Sequence, residues 1–173
     1  MILRGREHTV ETAYRTGAAG LLVAIGSILA ALAFEHLGGM VPCPLCLMQR
    51  WAYYVGIPVL FVALVLFTAE WSLAAKILFY AVALAFLANA GLGIYHAGAE
   101  WQFWPGPDTC AGSGMVPGST GDMLKNLQNP VSVVRCDQAA GRLFGLSFAG
   151  WNVVASLAIA LATMHAARQA AAR

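Results

Sequence analysis

Charged residues are scarce in this 173-residue chain, because Asp, Glu, Lys and Arg together make up 10% of it. An ordinary soluble domain has about 25% and needs that charge to cover its surface. The chain also has no basic run and a formal net charge of only +2, which argues against nucleic-acid binding. Hydrophobic residues make up 60% of the chain, which excludes intrinsic disorder. The composition predicts a protein that crosses a membrane several times.

The few charged and histidine residues divide the chain into four long apolar segments. Each segment is 19 to 22 residues long, and a helix needs about 20 apolar residues to cross a bilayer. Lipid offers the backbone no hydrogen bonds, so we predict helices. A cleaved secretory signal explains the first segment less well, since a signal core has about 7–15 apolar residues. The predicted spans are residues 16–34, 51–69, 77–95 and 143–164.

The distribution of Lys and Arg predicts the orientation of these helices. Six of the ten basic residues fall in the terminal segments and in the short link between the second and third spans. The positive-inside rule places these segments in the cytoplasm. The predicted fold is therefore a single all-α membrane domain over residues 1–173, a four-transmembrane-helix bundle with both termini cytoplasmic. Its two extracytoplasmic loops are residues 35–50 and 96–142.

All four cysteines fall in the two predicted outer loops. An even number of cysteines in an oxidising compartment indicates two disulfides. Cys43 and Cys46 form a Cys-x-x-Cys motif, which is typical of a redox centre. A purely structural disulfide is the weaker interpretation, because so short a ring gives little entropic stabilisation. Cys110 and Cys136 lie 26 positions apart, and that pair alone suits a structural disulfide as well as a redox relay.

The surroundings of the Cys-x-x-Cys motif exclude some cofactors and favour thiol chemistry. Arg50 follows Cys46 by four residues, so a helix beginning by Cys46 places both on one face. A guanidinium there favours a thiolate, although anchoring to lipid phosphate is an alternative. The residue after the motif is Leu47 rather than His, so the motif is not a c-type haem site. The cysteine spacing also does not match a zinc site, and no metal is predicted.

A thiol relay needs a terminal electron acceptor. The sequence has no nucleotide-binding fingerprint and lacks the residues of haem or iron–sulfur ligation. A motif at the lipid boundary has access to a quinone dissolved in the bilayer. A strong periplasmic dithiol oxidant has a reduction potential of about −120 mV, so its reoxidation requires a more oxidising acceptor. Ubiquinone or menaquinone is the predicted cofactor.

Several motifs together resemble those of the DsbB family of disulfide bond formation proteins. They are Pro-Cys-Pro-Leu-Cys at residues 42–46, then Arg50, then Trp-Pro-Gly-Pro-Asp-Thr-Cys at 104–110, and finally Cys136. The resemblance covers roughly residues 14–165. It implies an inner-membrane oxidoreductase that reoxidises a periplasmic dithiol protein of the DsbA type and passes the electrons to a quinone.

The resemblance also implies a role for each cysteine. The Cys110–Cys136 disulfide would oxidise the soluble thioredoxin-like partner, with Cys110 as the sulfur attacked. Cys136 would then exchange with Cys43. This exchange would release Cys46 as a thiolate that contacts the quinone.

Two further residues take part in the function that the resemblance implies. Arg50 would support the thiolate and the charge that develops on the quinone. His96, near the start of the long loop, would line the quinone site, and an ordinary interfacial role is its alternative. Position 49 departs from the family pattern, because many members carry Glu there and this chain has Gln49.

Two other functions remain open from the sequence. One is a quinone-linked thiol oxidoreductase like vitamin K epoxide reductase, which also has four helices and two cysteine pairs. In that family the Cys-x-x-Cys follows the loop pair, whereas here it comes first. The other is a non-catalytic membrane scaffold stapled by two disulfides. Replacing Cys43 or Cys46 with Ser distinguishes a thiol relay from a scaffold, because a relay loses turnover and a scaffold loses only stability.

Overall fold

A computed structural model describes residues 2–107, 136–137, 139 and 141–171 of the chain, with the backbone alone over 2–9. Four helices and one short hairpin make up the described part. The helices are α1 (Ile2–His36), α2 (Pro44–Thr68), α3 (Ser72–Glu100) and α4 (Phe148–Ala171). The hairpin strands β1 (Arg142–Leu143) and β2 (Leu146–Ser147) pair antiparallel immediately before α4.

All four helices are long and apolar enough to cross a membrane. Their outward faces carry large apolar side chains, and Leu22, Leu84 and Leu161 are 65–70% exposed. Water would disfavour so much exposed apolar surface, whereas lipid chains accommodate it. The predicted fold class, a four-helix membrane bundle, is therefore confirmed, and the chain is a multi-pass membrane protein.

Two of the helices extend the predicted spans toward the cysteine motif and its surroundings. α2 begins at Pro44, seven residues before the predicted span. Cys43 caps this first turn, and proline suits the first helical position because it has no N–H to satisfy. α3 continues to Glu100, so His96 lies inside a helix rather than at the start of a loop. The motif and His96 are thus held on rigid elements.

α4 begins five residues later than the predicted fourth segment. Phe144 and Gly145 have positive φ angles of 52° and 83°, a conformation that ends regular structure and that glycine adopts without strain. These two residues turn the chain between β1 and β2. The apolar run therefore includes a hairpin, and the helix starts only at Phe148.

The helices pack around an aromatic and aliphatic core. α4 lies against α3 and α1, and α2 lies against α3 and α1. Close approach of α2 and α3 depends on Gly56, since a Cβ there would lie 2.6 Å from the ring of Phe86. Packing of this kind holds membrane helices together, because lipid is as apolar as the core. The largest fully buried apolar side chains are Phe67, Phe79, Phe86, Leu60 and Ile159.

A polar network crosses the bundle at the level of Tyr53, seven residues or about two helical turns after Cys46. The Tyr53 hydroxyl donates to Asn152 Oδ1 at 2.8 Å. Asn89 Nδ2 donates to the same oxygen at 3.3 Å and to Ser156 Oγ at 2.9 Å. These hydrogen bonds join α2, α3 and α4 and fix their register.

The segment that follows α3 is held against that helix by Trp104. Its indole Nε1 donates to the Tyr95 carbonyl at 2.9 Å, and the two rings stack with centroids 6.0 Å apart. The indole lies over Gly98, where a Cβ would be 2.0 Å from it. The beginning of the second loop is therefore anchored near the site.

Candidate functional site

Cys43 and Cys46 occupy the first turn of α2. Cys43 is the N-cap residue, and its Sγ accepts a hydrogen bond from the Cys46 backbone N–H at 3.2 Å. A helix N-terminus favours negative charge and so favours a thiolate. Both cysteines are free, and their sulfur atoms lie 2.6 Å apart. A small movement of either side chain closes the pair into a disulfide.

The surroundings of Cys43 stabilise its thiolate. Together they lower the pKa of Cys43 from 9.0 to about 5, and the side-chain hydrogen bond with Cys46 is the largest cause. His96 and the Cys46 backbone N–H also lower this pKa, whereas burial raises it. These contacts favour the nucleophilic thiolate of Cys43 over its thiol.

Cys136 is fully buried beside this motif, with no exposed surface. Its sulfur is in a disulfide, and it lies within 4.8 Å of both Cys43 Sγ and a ring nitrogen of His96. The structure thus brings together the two cysteines predicted to exchange. Cys110 lies outside the described residues. The two sulfur atoms and the His96 nitrogen also have the spacing of a metal site. A sulfur in a disulfide is not a thiolate ligand, however, so Cys136 does not complete such a site.

His96 is the centre of a buried polar cluster with Gln49 and Glu100. Its ring is 3% exposed. Nε2 lies 3.6 Å from Cys43 Sγ and 3.7 Å from Glu100 Oε1. Nδ1 lies 2.9 Å from Gln49 Nε2. The imidazole is therefore placed to exchange a proton with the thiol.

Arg50 lies one turn after Cys46 and pairs with Glu35 from the end of α1. Their side chains are 12% and 26% exposed, so the pair is largely removed from solvent. The predicted cation is at the site, and it already has a carboxylate partner. This ion pair also ties α1 to the first turns of α2.

A cavity of about 350 Å³ opens beside Cys46 and is bounded by α1, α2, α4 and the end of α3. Its wall is mainly apolar. Such a wall suits a flat apolar ring that carries a few hydrogen-bonding oxygens. The polar or reactive side chains that line it include Cys43, Cys46, Arg50, Tyr53, His96 and Glu100.

Residues 14–166 match the family model described as Disulfide bond formation protein DsbB. The chain belongs to the DsbB family. It is accordingly a membrane protein that functions in disulfide bond formation and has disulfide oxidoreductase activity. Comparisons with curated proteins and with solved structures gave no match.

Some residues of this DsbB-family site were not recognised from the sequence. The motifs of the sequence include neither Glu35 nor Glu100. His96 and Glu100 are four positions apart on one helix, and this spacing predicts that their side chains are neighbours. Gln49 was noted only as a departure from the DsbB pattern, and the structure shows its contact with His96.

Proposed function

We propose that this protein reoxidises a periplasmic thioredoxin-like dithiol protein of the DsbA type and passes the two electrons to a membrane quinone. The observation that carries this proposal is the position of Cys43. Its sulfur lies within 4.8 Å of Cys136 Sγ, and it shares the cavity wall with Cys46. One cysteine therefore contacts both the loop disulfide and the cavity.

Thiol–disulfide exchange accounts for transfer between the two cysteine pairs. The partner's thiolate attacks Cys110, and Cys136 leaves as a thiolate with the electron pair of that bond. Cys136 Sγ then attacks Cys43 Sγ in the Cys43–Cys46 disulfide. A Cys136–Cys43 bond forms, and Cys46 is left as the thiolate.

The side chains that line the cavity fit a quinone. Cys46, Arg50 and His96 would hold it, and when bound it would supply the acceptor for two electrons and two protons. Arg50 offers positive charge to an oxygen that gains negative charge. The apolar wall excludes water, which strengthens these interactions.

We place the protein in the bacterial inner membrane with both termini in the cytoplasm, from the positive-inside rule. The cysteine motif then faces the periplasm, where disulfides persist. Thiol labelling of intact cells with an impermeant maleimide tests this orientation. Labelling of Cys43 only after the inner membrane is opened would contradict it.

The deciding experiment is quinone reduction by the purified protein, with a reduced thioredoxin-like protein as electron donor. We expect the quinone absorbance to fall with the wild type and to remain constant with Cys43→Ser or Cys46→Ser. Arg15→Gln is the control, because the Arg15–Glu11 pair is exposed on α1. A wild type with intact cysteines that leaves the quinone unchanged would overturn the proposal.

A further inference from the structure

Glu100 places a carboxylate in a buried environment beside the redox site. Its side chain is 4% exposed, and its Oε2 has no hydrogen-bond partner among the described residues. Burying a carboxylate is costly unless it is protonated or lies against a cation. His96, with Nε2 3.7 Å from Glu100 Oε1, is the neighbour that can provide the proton or the charge.

One nitrogen of His96 faces both the thiol and the carboxylate. Nε2 lies 3.6 Å from Cys43 Sγ and 3.7 Å from Glu100 Oε1. A proton on this nitrogen has an acceptor on either side. Nε2 is at hydrogen-bonding distance from the sulfur and at ion-pair distance from the carboxylate, so a small shift of Glu100 would complete a path for a proton from sulfur to imidazole to carboxylate.

Gln49 leaves His96 free to gain and lose that proton. The Gln49 side chain contacts Nδ1 at 2.9 Å, and the residue is 5% exposed. As placed, Gln49 Nε2 donates to an Nδ1 without hydrogen, and turning the amide over presents its oxygen to an Nδ1 that carries hydrogen. An ionised Glu at this position could only accept a hydrogen bond.

We propose that Glu100 is a positioning residue of the redox site and accepts, through His96, the proton that leaves the Cys43 thiol. The S–H bond breaks, and its electron pair stays on Cys43 Sγ. The proton moves to Nε2 and then to the Glu100 carboxylate. The thiolate is then able to form the disulfide with Cys46. The two electrons and the Cys46 proton would go to the quinone, and the proton held at Glu100 would follow them. Only that last step rests on the proposed function.

No other described titratable group of the cavity wall stands between Cys43 and Glu100. Arg50 is paired with Glu35, and Tyr53 donates to Asn152. The part of the wall formed by α4 and the hairpin carries no titratable side chain. The remaining titratable side chains that line the cavity are Glu35, Cys46, Arg50 and Tyr53.

The test follows the alkylation of Cys43 by iodoacetamide against pH in a Cys46→Ala background. Peptide mass spectrometry measures the alkylated fraction of Cys43 at each pH, because the peptide that contains Cys43 then has one cysteine. We expect Glu100→Gln to raise the alkylation midpoint by about one pH unit, since the Cys43 proton then has no carboxylate to reach through His96. Direct charge repulsion between Glu100 and the thiolate predicts the opposite sign. An unchanged or lowered midpoint would overturn the proposal.

The second measurement asks whether Glu100 acts through His96. In a His96→Phe background we expect Glu100→Gln to cause no further rise of the alkylation midpoint. A rise as large as in the presence of His96 contradicts proton transfer through His96. Glu11→Gln, which removes an exposed carboxylate from α1, is the matched control and is expected to leave the midpoint unchanged. If Glu100→Gln does not fold, Glu100→Asp replaces it, with a smaller rise expected and an unchanged midpoint overturning the proposal.

Neither quinone nor partner protein is present in these measurements, so their outcome is separate from that of the proposed function. A wild type that does not reduce quinone, together with a raised midpoint in Glu100→Gln, would contradict the proposed function and support proton transfer to Glu100. A wild type that reduces quinone, together with an unchanged midpoint, would contradict proton transfer to Glu100 alone.

Discussion

The Arg50 guanidinium on α2 is paired with the Glu35 carboxylate at the end of α1, beside the Cys-x-x-Cys motif. We expect Arg50→Gln to lower the free energy of unfolding, because Glu35 then keeps its charge without its partner in a partly buried place. Detergent unfolding followed by circular dichroism measures this loss. Arg15→Gln, in a pair whose side chains are 77% and 65% exposed, is expected to change stability by less than about 0.5 kcal/mol. Equal losses in both variants would contradict the assignment.

The reactivity of Cys43 is expected to depend on Cys46. In the reduced wild type, alkylation of Cys43 should be half-maximal near pH 5, because the pKa of Cys43 is lowered to about 5. Cys46→Ala removes the side-chain hydrogen bond that is the largest cause, so the midpoint should rise toward 9.0, the ordinary value. Mass spectrometry of the labelled peptide gives both midpoints. The same midpoint in both proteins would show that another group stabilises the thiolate.

Gly98 and Gly91 on α3 form a matched pair for testing the anchoring of the second loop. A Cβ at Gly98 would lie 2.0 Å from the Trp104 ring, whereas a Cβ at Gly91 would meet nothing within 4 Å. We expect Gly98→Ala to lower the free energy of unfolding by about 1–3 kcal/mol, because the indole is displaced. Gly91→Ala should leave stability unchanged or slightly higher. Indistinguishable unfolding curves would contradict the packing of Trp104 on α3.

The polar network below the motif is expected to contribute to stability and not to thiol reactivity. Asn152→Ala removes the acceptor of both Tyr53 and Asn89 and should cost about 1–2 kcal/mol of unfolding free energy. Thr68→Ala is the control, because that exposed hydroxyl bonds only the carbonyl of Val65 in its own helix. The Cys43 alkylation midpoint should be the same in both variants. A shifted midpoint in Asn152→Ala alone would place the network within the redox site.

The existence of four membrane helices could be predicted from the sequence, but their ends could not. Charges indicate where a chain meets water, and they locate the apolar segments well. A helix ends instead where its backbone is capped or turned, as at Cys43 before α2 or at Gly145 before α4. The first turn of α2 therefore carries the cysteine motif, although the charges placed that motif in a loop.

The proximity of Cys43 and Cys46 could also be predicted, whereas the groups that contact them could not. Cys43 and Cys46 are identified by their spacing. The contact of His96 with Cys43 joins residues 53 positions apart, and nothing local in the sequence indicates it. Glu100 depends on that contact in turn, since its significance appears only when the imidazole is known to face the sulfur.

The atom that caps α2 is also the atom that we propose to react. Cys43 Sγ accepts the Cys46 N–H as the helix begins, so its electron density helps to hold the first turn in place. A thiolate is a strong acceptor for this hydrogen bond, and a sulfur bonded to a second sulfur is a weak one. The order of the first turn of α2 therefore follows the oxidation state of the protein. Amide hydrogen exchange at Cys46 would report each step of the cycle from the backbone.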